Sequence, residues 1–543
     1  MWEQSYTPVA SSLGWSALVA ALPLFALLYL LGVRRTAAWL AALAGLATAA
    51  VVALGAYRMP PLLAASASAY GAAFGLFPIC WIMFWSIFLY RLSVETGQFE
   101  VIKGSIGGLT TDRRMQALLI AFAFGAFVEG AAGFGAPVAV AAAMLTGLGF
   151  SPAYAAGICL LANTAPVAFG SIGIPVLTLA GITGLPIHPL SAQVGRLCAP
   201  ISLIVPAYLV AVMGGWRALR GVLPAVAACG LAFAGVQFFA SNFLGPELTD
   251  ILSSLSAIAA CVLVARFIKP RDHFVFAGAE AISAAPPRYS AGQIVQAWMP
   301  YLLLVVCVLA WGRPEVKSVL NRLTVVFPWP GLHNAVRQMP PVVLKAMPYA
   351  ASYTLNWLSA AGTACLAACL LAALVGRAGL GVLWRVLRTT SVQLAKPVFT
   401  VSSVLALAFL MNYSGATATL GLAFAATGVA FPFFSALLGW VGVFLTGSDT
   451  SANALFGNLQ VVTANRLGLS PILTAAANSA GGVMGKMISL QSIAVAVAAT
   501  GMAASEESRL FRFTLRHSIV LAVAIGLLTL AYAYLAPGWI AAP

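Results

Sequence analysis

The stretch FVEGAAGFGAPVAV, residues 127–140, sets one carboxylate in apolar surroundings and follows it with three glycines and a proline. Between Ala117 and Gly149, Glu129 is the only charged side chain. That run is too long for one upright span and too short for two spans and a turn, since ~20 apolar residues cross a ~30 Å hydrocarbon layer. Gly130, Gly133, Gly135 and Pro137 mark where a helix would break, because glycine weakens it and proline removes a backbone donor. Non-helical backbone at membrane depth survives only against protein or a water-filled cavity. The stretch therefore predicts a discontinuous helix or a re-entrant hairpin. The second half-helix would begin with free N–H groups, an end that favours an anion. Close packing through small residues would explain the glycines, but not Glu129.

The rest of the chain sets this in context. Of its 543 residues 62% are hydrophobic and only 8% charged, with a mean hydropathy of +0.98, whereas soluble domains carry roughly 25% charged residues. Apolar windows such as Leu13–Leu31, Tyr70–Leu92, Leu197–Met213, Val398–Met411 and Ile519–Leu535 are spans by length. The expected fold is an all-α polytopic membrane protein with about 12–14 membrane segments. The formal charge of +15 does not indicate nucleic acid. Its basic residues fall in short segments between spans, among them Arg34 and Arg35, Arg266, Lys269 and Arg271, Arg385 and Arg388, and Arg509, Arg512 and Arg516. That is the positive-inside pattern, and it places the amino terminus outside. No Lys or Arg precedes the first apolar segment, so no cleavable signal peptide is expected. Eight scattered cysteines and four separated histidines indicate neither a disulfide framework nor a zinc or haem site, so no cofactor is expected.

A weak internal repeat runs through the chain. FVEGAAGFGAP (127–137), GFSP (149–152) and ANTAPVAFGSIG (162–173) are followed, in the same order and 315 to 319 residues later, by FLTGSDTSANA (444–454), GLSP (468–471) and ANSAGGVMGKMI (477–488). Secondary transporters are often built from two such halves. The expected units are 1–215 and 330–543, with residues 216–329 as connecting helices and polar loops; an odd number of spans between them would invert one with respect to the other. The proline-bearing segment 269–293 reads as a loop and the basic stretch 313–348 as extramembrane or interfacial.

The second half repeats the break with different chemistry. TGSDTSAN (446–453) gathers six short polar side chains, and Asp449 is the only charge from Phe434 to Asn465. A single N-cap explains one of these groups; a cavity lining explains all of them. Glu129 and Asp449 are candidates for carrying a proton, because an intramembrane carboxyl is costly when ionised and functional by default. Lys486, among Gly481, Gly482 and Gly485, either snorkels to an interface or awaits an anion. Gly133, Gly135 and Ser451 mark backbone amides for a carboxylate, with Ser448 beside them. Asn163, Thr164, Asn453, Asn478 and Ser479 would supply neutral hydrogen bonds, and Arg196 is a weaker cation near a segment end. His188 reads as a loop-edge residue between Pro186 and Pro189.

EGAAGFGAPVAV (129–140), NTAPVAFGSIGIP (163–175), NYSGATATL (412–420), GWVGVFLTGSDTSANALFG (439–457), GKMISLQSIA (485–494) and LFRFTLRHS (510–518) resemble the bacterial L-lactate permease family. The resemblance implies proton symport of L-lactate, with D-lactate and glycolate, across the inner membrane. It also implies similarity to a wider group of anion symporters with inverted repeats and paired hairpins. The partners expected are thus a small monocarboxylate and the lipid bilayer; nothing in the sequence specifies an oligomeric state. A sodium-coupled carboxylate or dicarboxylate symporter is the competing reading, because GSDTSAN offers hydroxyl and backbone oxygens to Na⁺. A remote one is an intramembrane hydrolase using Ser448 or Ser451 with Lys486 as base. A channel is disfavoured, since lone carboxylates rather than rings are present.

Overall fold

The computed structural model describes residues 1–133, 135–267, 274, 289–503 and 506–542. Lys269, Arg271, Pro270, Pro286 and Pro287 of the expected loop lie outside the described residues; Ser290 already caps a helix that begins at Ala291. Among the described residues, 12 helices are long and apolar enough to cross a membrane, or 13 if Pro152–Ala162 and Val167–Thr183, bent by 66° at their break, count as one span. Two helices are far longer than their apolar windows. Leu380–Ser414 runs 35 residues, its polar first half (RVLRTTSVQLAK) staying helical beyond the greasy core, and Ile187–Gly221 likewise starts helical through SAQVGR but kinks at Gly214 and Gly215.

The chain is not wholly helical. Outside the spans, Val325–Pro328 pairs antiparallel with Ser352–Leu355, and Val336–Gln338 lies between Met347–Pro348 and the amino-terminal Trp2–Glu3. The segment after residue 313 thus carries two small sheets, one of them completed by the amino-terminal strand. The Gln4 amide also docks the amino terminus on the end of Leu380–Ser414 by donating to the carbonyls of Asn412 and Tyr413, both at 2.9 Å.

Four interrupted segments occupy the centre. Arg113–Ala131, with a π-helical stretch at Ala117–Phe124, is buried along its whole length. It stops at a break in which Gly133 and Gly135 take left-handed φ of 61° and 85°. Pro137 stands in the first turn of Ala136–Gly147, where its missing N–H costs nothing, and this helix packs back on the first. The outcome is a hairpin rather than a span. After the Ser151-Pro152 turn, Pro152–Ala162 breaks before Gly170–Thr183.

The second half presents the same order. Phe431–Thr446 ends in a left-handed Gly447 (φ 72°), and Ser448 caps Asp449–Leu467 by accepting from the Ser451 N–H at 3.2 Å. Ser470 and Pro471 start Pro471–Lys486, which breaks before Leu490–Thr500, itself capped by Ser489. The pieces cross-pack: Gly170–Thr183 lies on Asp449–Leu467, and Leu490–Thr500 lies on Ala136–Gly147. All four breaks consequently meet near one point.

Small residues permit the tightest crossing, between Phe431–Thr446 and Pro471–Lys486. A methyl group at Gly439 would overlap the Asn478 carbonyl, and one at Gly481 the Ala436 carbonyl. Gly481→Val is expected to destabilise by about 1–3 kcal/mol or more, since overpacked backbones must part. Gly235→Ala, inside a helix with open space beyond it, is expected to gain about 0.5–1 kcal/mol. Melting temperatures of the two detergent-solubilised variants check both signs.

Candidate functional site

The breaks enclose a cavity of about 310 Å³. Glu129, Gly170 and Ser171 form its wall from the first half, and Thr446 to Ser451, Lys486 and Gln491 from the second. Ala37, Ala38 and Lys396 are exposed at its mouth beside Trp39. This rim adjoins Arg34 and Arg35 in the chain.

Each charge in the wall has a local cause. Lys486, 8% exposed, donates from Nζ to the Gly447 carbonyl at 2.6 Å. That carbonyl ends one helix while Lys486 ends another, so two negative helix termini face the ammonium. Asp449 stands in the first turn of its helix, where a carboxylate complements the dipole. Its Oδ2 accepts from Ser479 Oγ at 2.6 Å and from Asn453 Nδ2 at 3.3 Å, while Oδ1 has no partner among the described residues. Gly482 leaves room for that oxygen, because a methyl there would lie 2.5 Å from it.

Glu129 ends the buried arm of the first hairpin. Its Oε2 is unpartnered among the described residues, with Asn163 beside the carboxyl and Lys486 within electrostatic reach. Two glycines shape its niche: a methyl at Gly170 would sit 2.7 Å from Oε1, and one at Gly133 would collide with Ser171 Oγ. Ser171, Ile172 and Gly173 are successively left-handed, with φ of 47°, 59° and 75°. A β-branched residue in that region is a backbone outlier of the kind that concentrates at functional sites. The turn is secured by Ser171 Oγ donating to the Ala132 carbonyl at 3.0 Å.

Of the residues singled out in the sequence, Glu129, Asp449, Lys486, Ser448 and Ser451 line the cavity. Gly133 and Asn163 back Glu129. Asn453, Asn478 and Ser479 do not reach the cavity and require correction. Asn478 Nδ2 donates to Asn453 Oδ1 at 2.9 Å, Asn453 donates to Asp449, Ser479 and the Pro175 carbonyl, and Gln460 donates to Asn478. Their amides are engaged in holding Asp449 rather than open to a hydroxyl. Thr164, in the break, donates to the Leu161 carbonyl of the preceding helix, and Gly135 faces Val495. Arg196 is elsewhere, held by Asn242 Oδ1 at 2.9 Å and the Trp539 carbonyl at 3.0 Å. Thr446 and Thr450 line the cavity as members of the TGSDTSAN cluster, whereas Ser171, Gln491 and Lys396 were missed. GSIGIP (170–175), with its two glycines and a proline, carried the signal for Ser171; Lys396 was hidden among the topogenic cations. The serine–lysine pairing required of a hydrolase does not form: Lys486 turns to Gly447, and Ser448 serves as a helix cap.

Comparison with known sequences then places the arrangement. The family described as L-lactate permease matches residues 16–536. The chain belongs to the L-lactate permease family. An L-lactate permease of Bacillus subtilis is 46% identical, over 97% of this chain and 98% of the relative. The glycolate permease GlcA of Escherichia coli is 44% identical over 99% of each. Among solved structures, the YdaH transporter of Alcanivorax borkumensis overlaps 88% of this chain and 89% of its own at 14% identity, with a TM-score of 0.47. The apolar helices of this chain run along nearly the whole matched region.

Gly170→Ala tests the niche. The added methyl displaces the Glu129 carboxyl, so substrate uptake by reconstituted protein is expected to fall at least about tenfold, the equivalent of ~1.4 kcal/mol. Its elution on size exclusion is expected to match the unsubstituted chain.

Proposed function

We propose that the chain is a secondary active transporter that imports L-lactate, with D-lactate and glycolate, together with protons across the bacterial inner membrane. The observation that carries this reading is one buried ammonium facing two buried carboxyls across a cavity at membrane depth. Relatives named for lactate and glycolate permeation support the substrate class. The substrate crosses unchanged, so no enzymatic step and no cofactor are invoked.

Lactate is a monoanion, and moving one charge against a membrane potential costs about 2.3 kcal/mol per 100 mV. A proton carried along cancels that charge. In the cavity, Lys486 attracts the substrate carboxylate, aided by backbone amides at the start of Asp449–Leu467, while Thr446, Ser448, Thr450, Ser451 and Ser171 serve its hydroxyl. Each ionised carboxyl in the wall repels the substrate, and each proton taken up by Glu129 or Asp449 removes one repulsion. Proton binding and anion binding therefore favour one another, which is the linkage a symporter needs. The pair shares the role, so its titration belongs to both groups.

Residues 1–215 and 330–543 are assigned as two inverted repeats joined by 216–329, with alternating access arising from their relative motion. The shared order of hairpin and broken span supports the assignment.

Proteoliposomes given an inward proton gradient without sodium are expected to accumulate L-lactate. Uptake that requires a sodium gradient at constant pH would instead select the competing symporter. Lys486→Met is expected to weaken apparent L-lactate affinity by about 10- to 100-fold, the loss of one charge-assisted contact of ~1.5–3 kcal/mol. Unchanged affinity would remove Lys486 from the site.

A further inference from the structure

A carboxyl that no motif marks lies behind Glu129. Asp250 is in the first turn of Thr249–Phe267 and is 1% exposed. Neither of its oxygens has a hydrogen-bond partner among the described residues. Gly130, next to Glu129 in the chain, packs straight onto it: a methyl at Gly130 would lie 2.7 Å from Asp250 Cβ and 3.2 Å from the Ile251 nitrogen. Glu129 forms part of the cavity wall, whereas Asp250 does not. The two are thus a pair of acids, one in contact with the substrate space and one screened from it.

An isolated buried carboxylate without hydrogen bonds costs several kcal/mol, so Asp250 is stable only as the neutral acid or for as long as a proton is passing. Glu129 and the Cys198 thiol lie within electrostatic reach of Asp250, Lys486 within reach of Glu129, and Lys317 within reach of Glu247. Among the described residues no hydrogen bond or ion pair holds Asp250 ionised. A purely structural position would be better filled by Asn or Leu.

The opposite direction leads out of the protein. Three residues before Asp250 is Glu247, half-buried in the connection after Leu223–Phe243. A methyl at Gly245 would meet Glu247 Oε2 at 2.9 Å and His188 Cε1 at 3.6 Å, and His188 is exposed. This connection lies at the far end of its helices from Arg217, Arg220 and Arg266, hence on the outer face by the positive-inside rule. Substrate, by contrast, reaches the cavity in this conformation from the Trp39 and Lys396 side.

We propose that His188, Glu247, Asp250 and Glu129 form a proton path from the outer face to the cavity, with Asp250 loading Glu129 from behind. The idea rests on the proton-symport reading given above. In the central step the Asp250 O–H bond breaks and its proton bonds to the Glu129 carboxylate. Asp250 is left as the anion and regains a proton from Glu247, which is reprotonated from water through His188. Charge and atoms balance, and no other reactant is needed. Proton and substrate then approach the same centre by separate routes.

The test uses the full chain in proteoliposomes containing a pH-sensitive dye, with L-lactate as substrate. The unsubstituted protein is expected to acidify the lumen when L-lactate is added outside; absence of both acidification and uptake would overturn the transport reading itself. Asp250→Asn is expected to lower proton-driven accumulation at least tenfold while leaving L-lactate/L-lactate exchange, which needs no net proton movement, within twofold. Asp250→Glu is expected to restore part of the accumulation. Accumulation by Asp250→Asn at the unsubstituted rate would overturn the proposal, as would equal loss of accumulation and exchange in a monodisperse protein. Should Asp250→Asn not fold, Glu247→Gln decides: a several-fold slower proton-driven uptake with intact exchange supports the path, and an unchanged rate overturns it.

Discussion

Any charged or polar group at membrane depth must find its solvent in the protein itself, and the centre of this molecule is organised around that constraint. Glu129, Asp449 and Lys486 are each held where a helix stops. A helix that continued past Lys486 or Asp449 would offer them only a closed ladder of hydrogen bonds. Interrupted, it offers the Gly447 carbonyl to the ammonium and an amide-rich first turn to the carboxylate. Ser479 and Asn453 complete the Asp449 shell. The arm bearing Glu129 is kept from lipid along its full length. Breaks, burial and charge are aspects of one solution.

Cross-packing converts four separate breaks into one site. Because Gly170–Thr183 rests on Asp449–Leu467 and Leu490–Thr500 on Ala136–Gly147, each half of the chain supplies an arm to the other's hairpin. The carboxyls of the two halves therefore face a common cavity, and movement of one half against the other changes the surroundings of both. The small-residue contacts at Gly439 and Gly481 fix the second-half crossing at backbone distance, so the second hairpin and its neighbour respond as a unit.

Much of this was legible in the residues. A lone acid beside clustered glycines and a proline announced the first hairpin break, a lone acid among short polar residues the second, and the Ser-Pro pairs stand at the starts of Pro152–Ala162 and Pro471–Lys486. What escaped did so for identifiable reasons. Asp250 follows a Gly-Pro-Glu sequence at the end of a span and looks like an ordinary loop acid; only tertiary packing draws it inside. Asn453 and Asn478 were sound candidates for substrate until their partners were known, since one polar residue in a membrane resembles another. The strand at Trp2–Glu3 exists because Val336 and Arg337 pair with it, a contact no local pattern encodes. Lys396 shares its charge with every cation that sets topology, and position alone distinguishes it.

The left-handed turn at Gly447 leaves a lasting trace of a different sort. Within two residues the cavity wall changes from a carbonyl that accepts to a helix start that donates, and the change is made by peptide groups, which every residue possesses. Discrimination written in the orientation of the main chain is tolerant of side-chain drift and intolerant of any change in torsion. Over evolutionary time such a wall would keep its preference for anions while the residues around it diverge, and glycine at that position would be the slowest of them to go.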